Sequence, residues 1–416
     1  MLKLAEQQAR SFDRARALPR PPPPENPAAI AVAEQVAPEP SYSIRPLQCS
    51  ALPRPRRFGS SVRYRPSFIS LRPFPHHFRP AYDKGAIIMN SWYIGIDLGG
   101  TNLRIAAVTA TGDRLDLITL PTRLAAGPHA VLDDMASSIA QLVERQSGEL
   151  LGIGVGSPGP LELPAGILHH PPNLPGFDGL NLRSELERRV HRPVDVNSDA
   201  NLAAYGEFML GAGKTCAVDS LLALTLGTGV GCGIILDRKI WQGMQGAAGE
   251  SGHGPIDPNG PPCPCGARGC LEMYASATAI VRRARELGLK DSAANGHAAP
   301  LTASSIADLA QAGDRRALQI FDEVGRALGL SLANLINALD LPLYVLCGGV
   351  VAAWPLFAPR MFSTVKEMSY VYRMSMPADP SVFEPGKTHI CAAQVGDAGI
   401  LGAALLPLAA GVSASA

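Results

Sequence analysis

The chain lacks an excess of charge of either sign. Its 37 Lys and Arg meet 36 Asp and Glu, for a formal net charge of +1, so nucleic acid is not the expected partner. No run of 18 or more apolar residues occurs, which excludes a membrane-spanning helix. No charged-then-apolar leader opens the sequence, so a reducing cytoplasm is the expected compartment. The phosphate loop G-x-x-x-x-G-K-[ST] is also missing, which excludes a P-loop enzyme. What remains is 416 residues, 46% of them apolar. That is length for two or three domains and material for a sizeable core.

The near-neutral total hides a split. Residues 1–88 carry 14 Lys and Arg against 6 Asp and Glu, and hold 15 of the 37 prolines. Residues 89–416 carry a balance of −7. Proline at that density interrupts both helix and sheet, and no apolar period survives in "LPRPPPPENP" or "LRPFPHHFRP". The expectation is a disordered Pro/Arg-rich N-terminal extension. It reads either as a basic targeting arm or as an upstream extension outside the fold, with Met89 as the natural start.

From Tyr93 onward strand and helix patterns alternate. "WYIGIDLGGTNLRIAAV" (92–108) reads as strand, tight turn, strand, and "GDRLDLITL" as a third strand. "AVLDDMASSIAQLVERQS" shows helical spacing at Val131, Met135, Ile139 and Leu142. "LLGIGVGSPGP" is a buried strand ending in turns. "RPVDVNSDANLAAYGEFMLG" is a strand, a polar corner and a helix capped by Gly211. "SLLALTLGTGVGCGIIL" (220–236) repeats the first pattern, which suggests two similar α/β halves. Apolar positions from Ala317 to Leu339 hold a period near 3.6, a long and largely buried helix. "PLYVLCGGV" is another strand into a glycine turn, and "AGILGAALLPLA" a closing apolar helix. The fold class is α/β with mixed sheets.

Three glycine turns follow strands. In "DLGGTN" (97–102), Gly99 and Gly100 let the backbone approach a ligand, and turn amides face phosphate oxygens well. Thr101 and Asn102 add donors, and Asp97 is placed to hold a magnesium ion through water. "LGTGVG" offers Gly227, Thr228 and Gly229, a second grip on a polyphosphate. Gly348 and Gly349 in "CGGV" add a third turn where a flat base lies against backbone. Each alone is also an ordinary hairpin tip. Together they resemble the actin-like ATPase superfamily that includes sugar kinases.

Asp199 in "VNSDAN" stands where a strand ends and a helix begins. There it is either a helix N-cap or an ionised carboxylate that takes a proton from a substrate hydroxyl. "GHGPIDPNGPPCPCGARGC" (252–270) gathers His253, Cys263, Cys265 and Cys270, a closed tetrahedral set for structural zinc. Disulfides are disfavoured by compartment and by the odd number of thiols; unrelated core cysteines are the other alternative. Cys49, Cys216, Cys232, Cys347 and Cys391 are scattered among apolar residues and read as small core side chains. Glu250 and Glu272 flank the cluster. They are either surface charge or carboxylates accepting hydrogen bonds from neighbouring hydroxyls of a sugar ring. His253 can ligate metal with one ring nitrogen and donate with the other.

The pattern "GESGHGPIDPNGPPCPCGARGCLE", with DLGGTN, the Gly-Thr-Gly turn and Asp199, is similar to the signature of the ROK family (repressors, open reading frames and kinases) from about Tyr93 to Leu405. The resemblance implies two actin-like ATPase (ribonuclease H-like) domains with an interdomain cleft. The expected boundaries are 89–205, with a C-terminal helix near 396–410 packing back on it, and 206–395, carrying the zinc loop. It implies transfer of the ATP γ-phosphate to a hexose hydroxyl, usually the 6-hydroxyl, with magnesium, structural zinc and commonly a homodimer. Asp199 matches the catalytic base; Asn173 in "PPNLPGF", Glu250, His253 and Glu272 match sugar contacts. The family usually reads Asn-Asp at the base. Here Ser198 stands before Asp199, and its shorter hydroxyl donates one hydrogen bond where an amide donates two. Glucose is the expected substrate, with N-acetylmannosamine, N-acetylglucosamine, allose and fructose open. A sugar-responsive repressor is the reading from another class, but the prolines and the lack of paired amphipathic helices in 1–88 argue against a winged helix-turn-helix there. A sugar sensor without catalysis is disfavoured by the intact base and phosphate turns.

Overall fold

β1 (Ser91–Leu98), β2 (Asn102–Thr109) and β3 (Arg114–Pro121) form an antiparallel meander, and β4 (Glu149–Ser157) pairs parallel with β1. A small hairpin of β5 (Leu161–Glu162) and β6 (Ile167–Leu168) follows, then β7 (Val194–Ser198), parallel to β4. The first sheet therefore runs β3-β2-β1-β4-β7. β8 (Leu221–Leu226), β9 (Val230–Leu236) and β10 (Lys239–Ile240) make a second antiparallel meander. After the short pair β11 (Ser292–Ala294) and β12 (His297–Ala299), β13 (Leu343–Cys347) joins β8 in parallel and β14 (His389–Ala392) joins β13. The second sheet runs β10-β9-β8-β13-β14, the same order and directions as the first. The repeat suspected from two glycine hairpins is thus a repeat of whole sheets. The structure, a computed structural model, describes residues 91–294 and 297–411. The stretch 1–88 and its expected disorder lie outside the described residues.

Side chains alternate across both sheets as strand geometry requires. Leu222, Leu224, Leu226, Tyr344 and Leu346 enter a core with the long helix Arg315–Leu339, where Ala317, Ile320, Phe321, Val324, Leu328, Leu332 and Ile336 are buried. The intervening Leu221, Ala223, Leu343 and Val345 meet Tyr205 and Phe208 of the helix Asp199–Leu210. In the first sheet Trp92, Ile94, Ile96 and Leu98 pack on the helix Pro128–Arg145 through Val131, Met135 and Leu142. The opposite face, with Tyr93, Ala106 and Val108, receives Ile400, Leu401 and Ala404 of the C-terminal helix Ala398–Gly411. That helix lies so close that a methyl on Gly95 would collide with Ile400 O, and one on Gly154 with Ala403 O. Glycine in these strands is the condition for the contact. The helices Asp199–Leu210 and Ala398–Gly411 also pack on each other, forming the layer between the two sheets. No described helix is long and apolar enough to cross a membrane.

Candidate active site

β7 runs directly into the helix Asp199–Leu210. The cap is Ser198: its backbone is extended and its hydroxyl accepts from Asn201 N–H at 3.2 Å. Asp199, one position later, is therefore released from the capping role that its place in the sequence left open. Its Oδ1 accepts the adjacent Ala200 N–H at 2.7 Å. Below the junction, buried Asn197 accepts from Ser198 N–H and from Asn201 Nδ2, both at 2.9 Å. No strand or helix pattern singles out Asn197 and Asn201; their spacing of four residues across the corner is the one signal they carry.

Asp199 remains accessible to solvent, yet its carboxyl sits deep among surrounding protein atoms. That burial pushes its carboxyl up to about 6, against the opposing Ala200 N–H, and the charges of Asp97 and Glu250 lift it further. An occupant that displaced the remaining water would complete the burial. The influence of Asp97 and Glu250 also shows that three carboxylates far apart in sequence share one neighbourhood.

The glycine hairpin before β2 is closed by Gly99 N–H to Asn102 O at 3.0 Å and braced by the Thr122 hydroxyl on Gly99 O at 2.7 Å. The loop holding Asn173 lies on it: a methyl on Gly100 would come within 2.6 Å of Asn173 O. Thr101 and Asn102 are exposed, and their side chains make no hydrogen bond among the described residues. Asp97 also carries an ion pair beyond the role expected of it. Its Oδ2 accepts from Arg104 Nε at 3.1 Å and NH2 at 2.6 Å, and Arg104 NH1 reaches Asp397 at 2.7 Å. Arg104 faces Asp97 directly in the β1–β2 register, a pairing visible in the hairpin pattern; Asp397, 293 residues from Arg104, had no local signal.

In the second sheet the Gly227–Gly229 turn is closed by Gly227 N–H to Gly229 O at 2.9 Å. Ala277 N–H and the Thr278 hydroxyl brace it through Gly227 O and Thr228 O, both at 2.8 Å. Glu272 Oε2 accepts from Val230 N–H at 2.9 Å, so this carboxylate ties the cysteine loop to the glycine hairpin. Gly348 and Gly349 follow Cys347, which is paired with Thr225; this sets the third turn beside the second.

His253, Cys263, Cys265 and Cys270 converge, with ligand atoms all within 4.8 Å of one another. Cys263 Sγ lies 3.6 Å from His253 Nδ1, and Cys265 Sγ 3.7 Å from Cys270 Sγ. A tetrahedral zinc with bonds of about 2.3 Å to sulfur and about 2.05 Å to nitrogen separates two sulfurs by about 3.8 Å and sulfur from nitrogen by about 3.6 Å. The donor set fits that ion and is too open for a disulfide, where sulfurs lie about 2.05 Å apart. Backbone contacts frame it: Cys263 N–H meets Ala267 O at 2.9 Å, and Ile256 N–H meets Gly269 O at 2.9 Å. His253 Nε2 points out of the cluster, 4.0 Å from Glu250 Oε2.

The sequence profile of the ROK family matches residues 93–410. The chain belongs to the ROK family. It is 35% identical to a glucokinase of Halalkalibacterium halodurans, over 75% of this chain and 93% of that protein. It is 31% identical to an N-acetylmannosamine kinase of Yersinia pestis, over 68% of this chain and 90% of that protein. Among solved structures, a ROK family glucokinase from Streptomyces griseus in complex with glucose and AMPPNP superposes with a TM-score of 0.62 at 30% identity, covering 76% of this chain and 98% of that one.

Proposed function

We propose that this ROK protein is an ATP-dependent hexose kinase acting at the 6-hydroxyl, with glucose as substrate. The carrying observation is Asp199: a carboxylate freed from helix capping, lifted to about 6, within reach of the charges of Asp97 and Glu250. A group with that pKa is ionised at neutral pH yet basic enough to take a hydroxyl proton. The glucokinase relative supports glucose as substrate, and the complex with glucose and AMPPNP supports a nucleoside triphosphate as donor.

Phosphoryl transfer asks mainly for alignment and charge stabilisation. The turns at Gly99–Gly100 and Gly227–Gly229, through the amides of Gly100 and Gly229 that their hairpins leave unbonded among the described residues, and the free side chains of Thr101, Asn102 and Thr228 cradle the phosphates, with Gly348 and Gly349 under the base. Asp97 presents its Oδ1, since Arg104 occupies Oδ2, to a water-shelled magnesium ion, which when bound would neutralise developing phosphate charge. Asn173, Ser198, Glu250, His253 Nε2 and Glu272 hold sugar hydroxyls, and Asp199 removes the proton from the attacking one. Zinc on His253, Cys263, Cys265 and Cys270 would be structural, because four protein ligands leave no open position. In this reading residues 89–205 with the C-terminal helix form one domain, 206–395 the other, and the enzyme is a cytoplasmic homodimer of carbohydrate metabolism and glycolysis.

A coupled ADP-release assay over hexoses and N-acetylhexosamines tests the proposal. Release with glucose above all others is expected. A preference for N-acetylmannosamine would move the substrate within the class. No release with any sugar, together with a shift of operator DNA, would replace the kinase by a repressor.

A further inference from the structure

Two chain crossings join the sheets. The first leaves the helix Asp199–Leu210 through Gly211 and the short helix Ala212–Cys216 to reach β8; the second leaves β14 and runs through residues 393–397 to the helix Ala398–Gly411. One side chain touches both. Glu207, on the helix that begins with Asp199, is 0% exposed. Its Oε2 accepts from Ala212 N–H at 3.0 Å on the first crossing. Its Oε1 accepts from Gln394 N–H at 3.0 Å and Val395 N–H at 2.8 Å on the second. No cation pairs with it among the described residues.

A buried carboxylate without a counter-charge is costly unless N–H donors surround it. A glutamate kept only for packing would be better replaced by an apolar residue. What this one adds is directional: three amides from two segments about 180 residues apart converge on one rigid group. The helices on either side leave it no slack. A methyl on Gly206 would strike Ala398 O, and one on Gly402 would strike Leu202 O. Beyond the pin, Asp397 is held by Arg104 and Arg114, each at 2.7 Å. Arg104 is the same residue that grips Asp97. The second crossing is thus fastened at one end to the base helix and at the other to the first glycine hairpin.

We propose that Glu207 is a positioning residue, a hinge pin that holds both crossings and so sets where Asp199 and Asp97 stand relative to the Gly227–Gly229 hairpin. It touches no reacting atom and acts through the helix it shares with Asp199, about 12 Å along the axis. The positioning role rests on the kinase reading; the pinning of the crossings does not.

Glu207→Gln keeps shape but turns one acceptor into an N–H donor facing N–H donors. Hydrogen exchange should show the amides of Ala212, Gln394 and Val395 losing protection together, while Tyr344 and Val345 in β13 stay protected. In kinetics, kcat should fall roughly 10–100-fold, the scale of a misplacement of about 1 Å. The KM for hexose should change less than about threefold, and the acid limb of the rate profile should stay where it is. If the glutamine variant does not fold, Glu207→Asp decides: it keeps the charge but reaches fewer amides, so partial loss of protection with lowered kcat is expected. A folded variant with unprotected amides and wild-type kcat overturns the positioning role. Unchanged protection overturns the pin itself. A wild type that releases no ADP with any hexose fails the kinase reading instead, and amide exchange alone then judges the hinge.

Discussion

Lowering the pH from 7 to 5 should slow the enzyme about tenfold at saturating sugar and ATP, through Asp199 alone. The magnitude follows from its surroundings. Burial raises its carboxyl to about 6, Ala200 N–H pulls the other way, and Asp97 and Glu250 add upward pressure. With that value the base is about 91% ionised at pH 7 and about 9% at pH 5, where an aspartate at its ordinary value would remain almost fully ionised. ADP release followed at pH 4.5–8 reads this directly as the acid limb of kcat. In the free enzyme water still enters from the open side, so the limb in kcat/KM should lie no higher than that in kcat. Asp199→Asn should cut kcat roughly 10²–10⁴-fold and flatten the limb, because the titrating group is gone. Glu250→Gln should move the limb to lower pH, because one of the raising charges is removed. A profile flat from pH 5 to 7 in the wild type, or a limb that survives Asp199→Asn, would refute the assignment of Asp199 as base.

The same shift predicts a stability effect. A carboxyl raised in the folded state is destabilising once pH rises through its folded value, and neutral below the unfolded one. Asp199→Asn should therefore melt higher than wild type at pH 8, with the gap closing as pH falls from about 6 to about 4 in a thermal scan. Cys265→Ser should lose zinc and sugar affinity together; full zinc content by metal analysis would refute the ligand set. Glu272→Ala removes the acceptor of Val230 N–H, so the KM for ATP should rise alongside that for sugar, and an effect on sugar alone would dissociate the loop from the hairpin. Ser198→Asn should leave stability within about 0.5 kcal/mol, since both residues cap helices well, while the ranking of hexoses in the ADP assay changes.

Much of this architecture was legible because it is local. The period of the helix Arg315–Leu339, the alternating strands and the glycine turns each follow from neighbours a few residues away. The His253 and cysteine set was legible because its four donors lie within 18 positions. Several features escaped. Ser198 and Asp199 are both good capping residues, and only the backbone turn decides which one caps; the choice of Ser198 is what frees Asp199. Asp397 and Glu207 read as ordinary acids, since apart from Ala212 beside Glu207 their partners lie 187 to 293 residues away and carry no pattern. Glu272 was legible as a residue beside the metal loop but not as the acceptor of Val230 N–H, because that contact depends on how the loop folds back over β9.

The matching strand order of the two sheets has an implication for what each half has become. In each, the fifth strand in the order delivers the chain into a helix, and these two helices lie face to face. Ser198 and Asp397 occupy corresponding posts, immediately ahead of helical residue one. In the proposed function one post serves reactivity, leaving Asp199 accessible to solvent; the other serves anchorage, with Asp397 seized by two arginines. On the proposed kinase reading, chemistry here is a broken symmetry: a repeated scaffold offers two equivalent corners, and only one of them carries an acid that no arginine holds among the described residues.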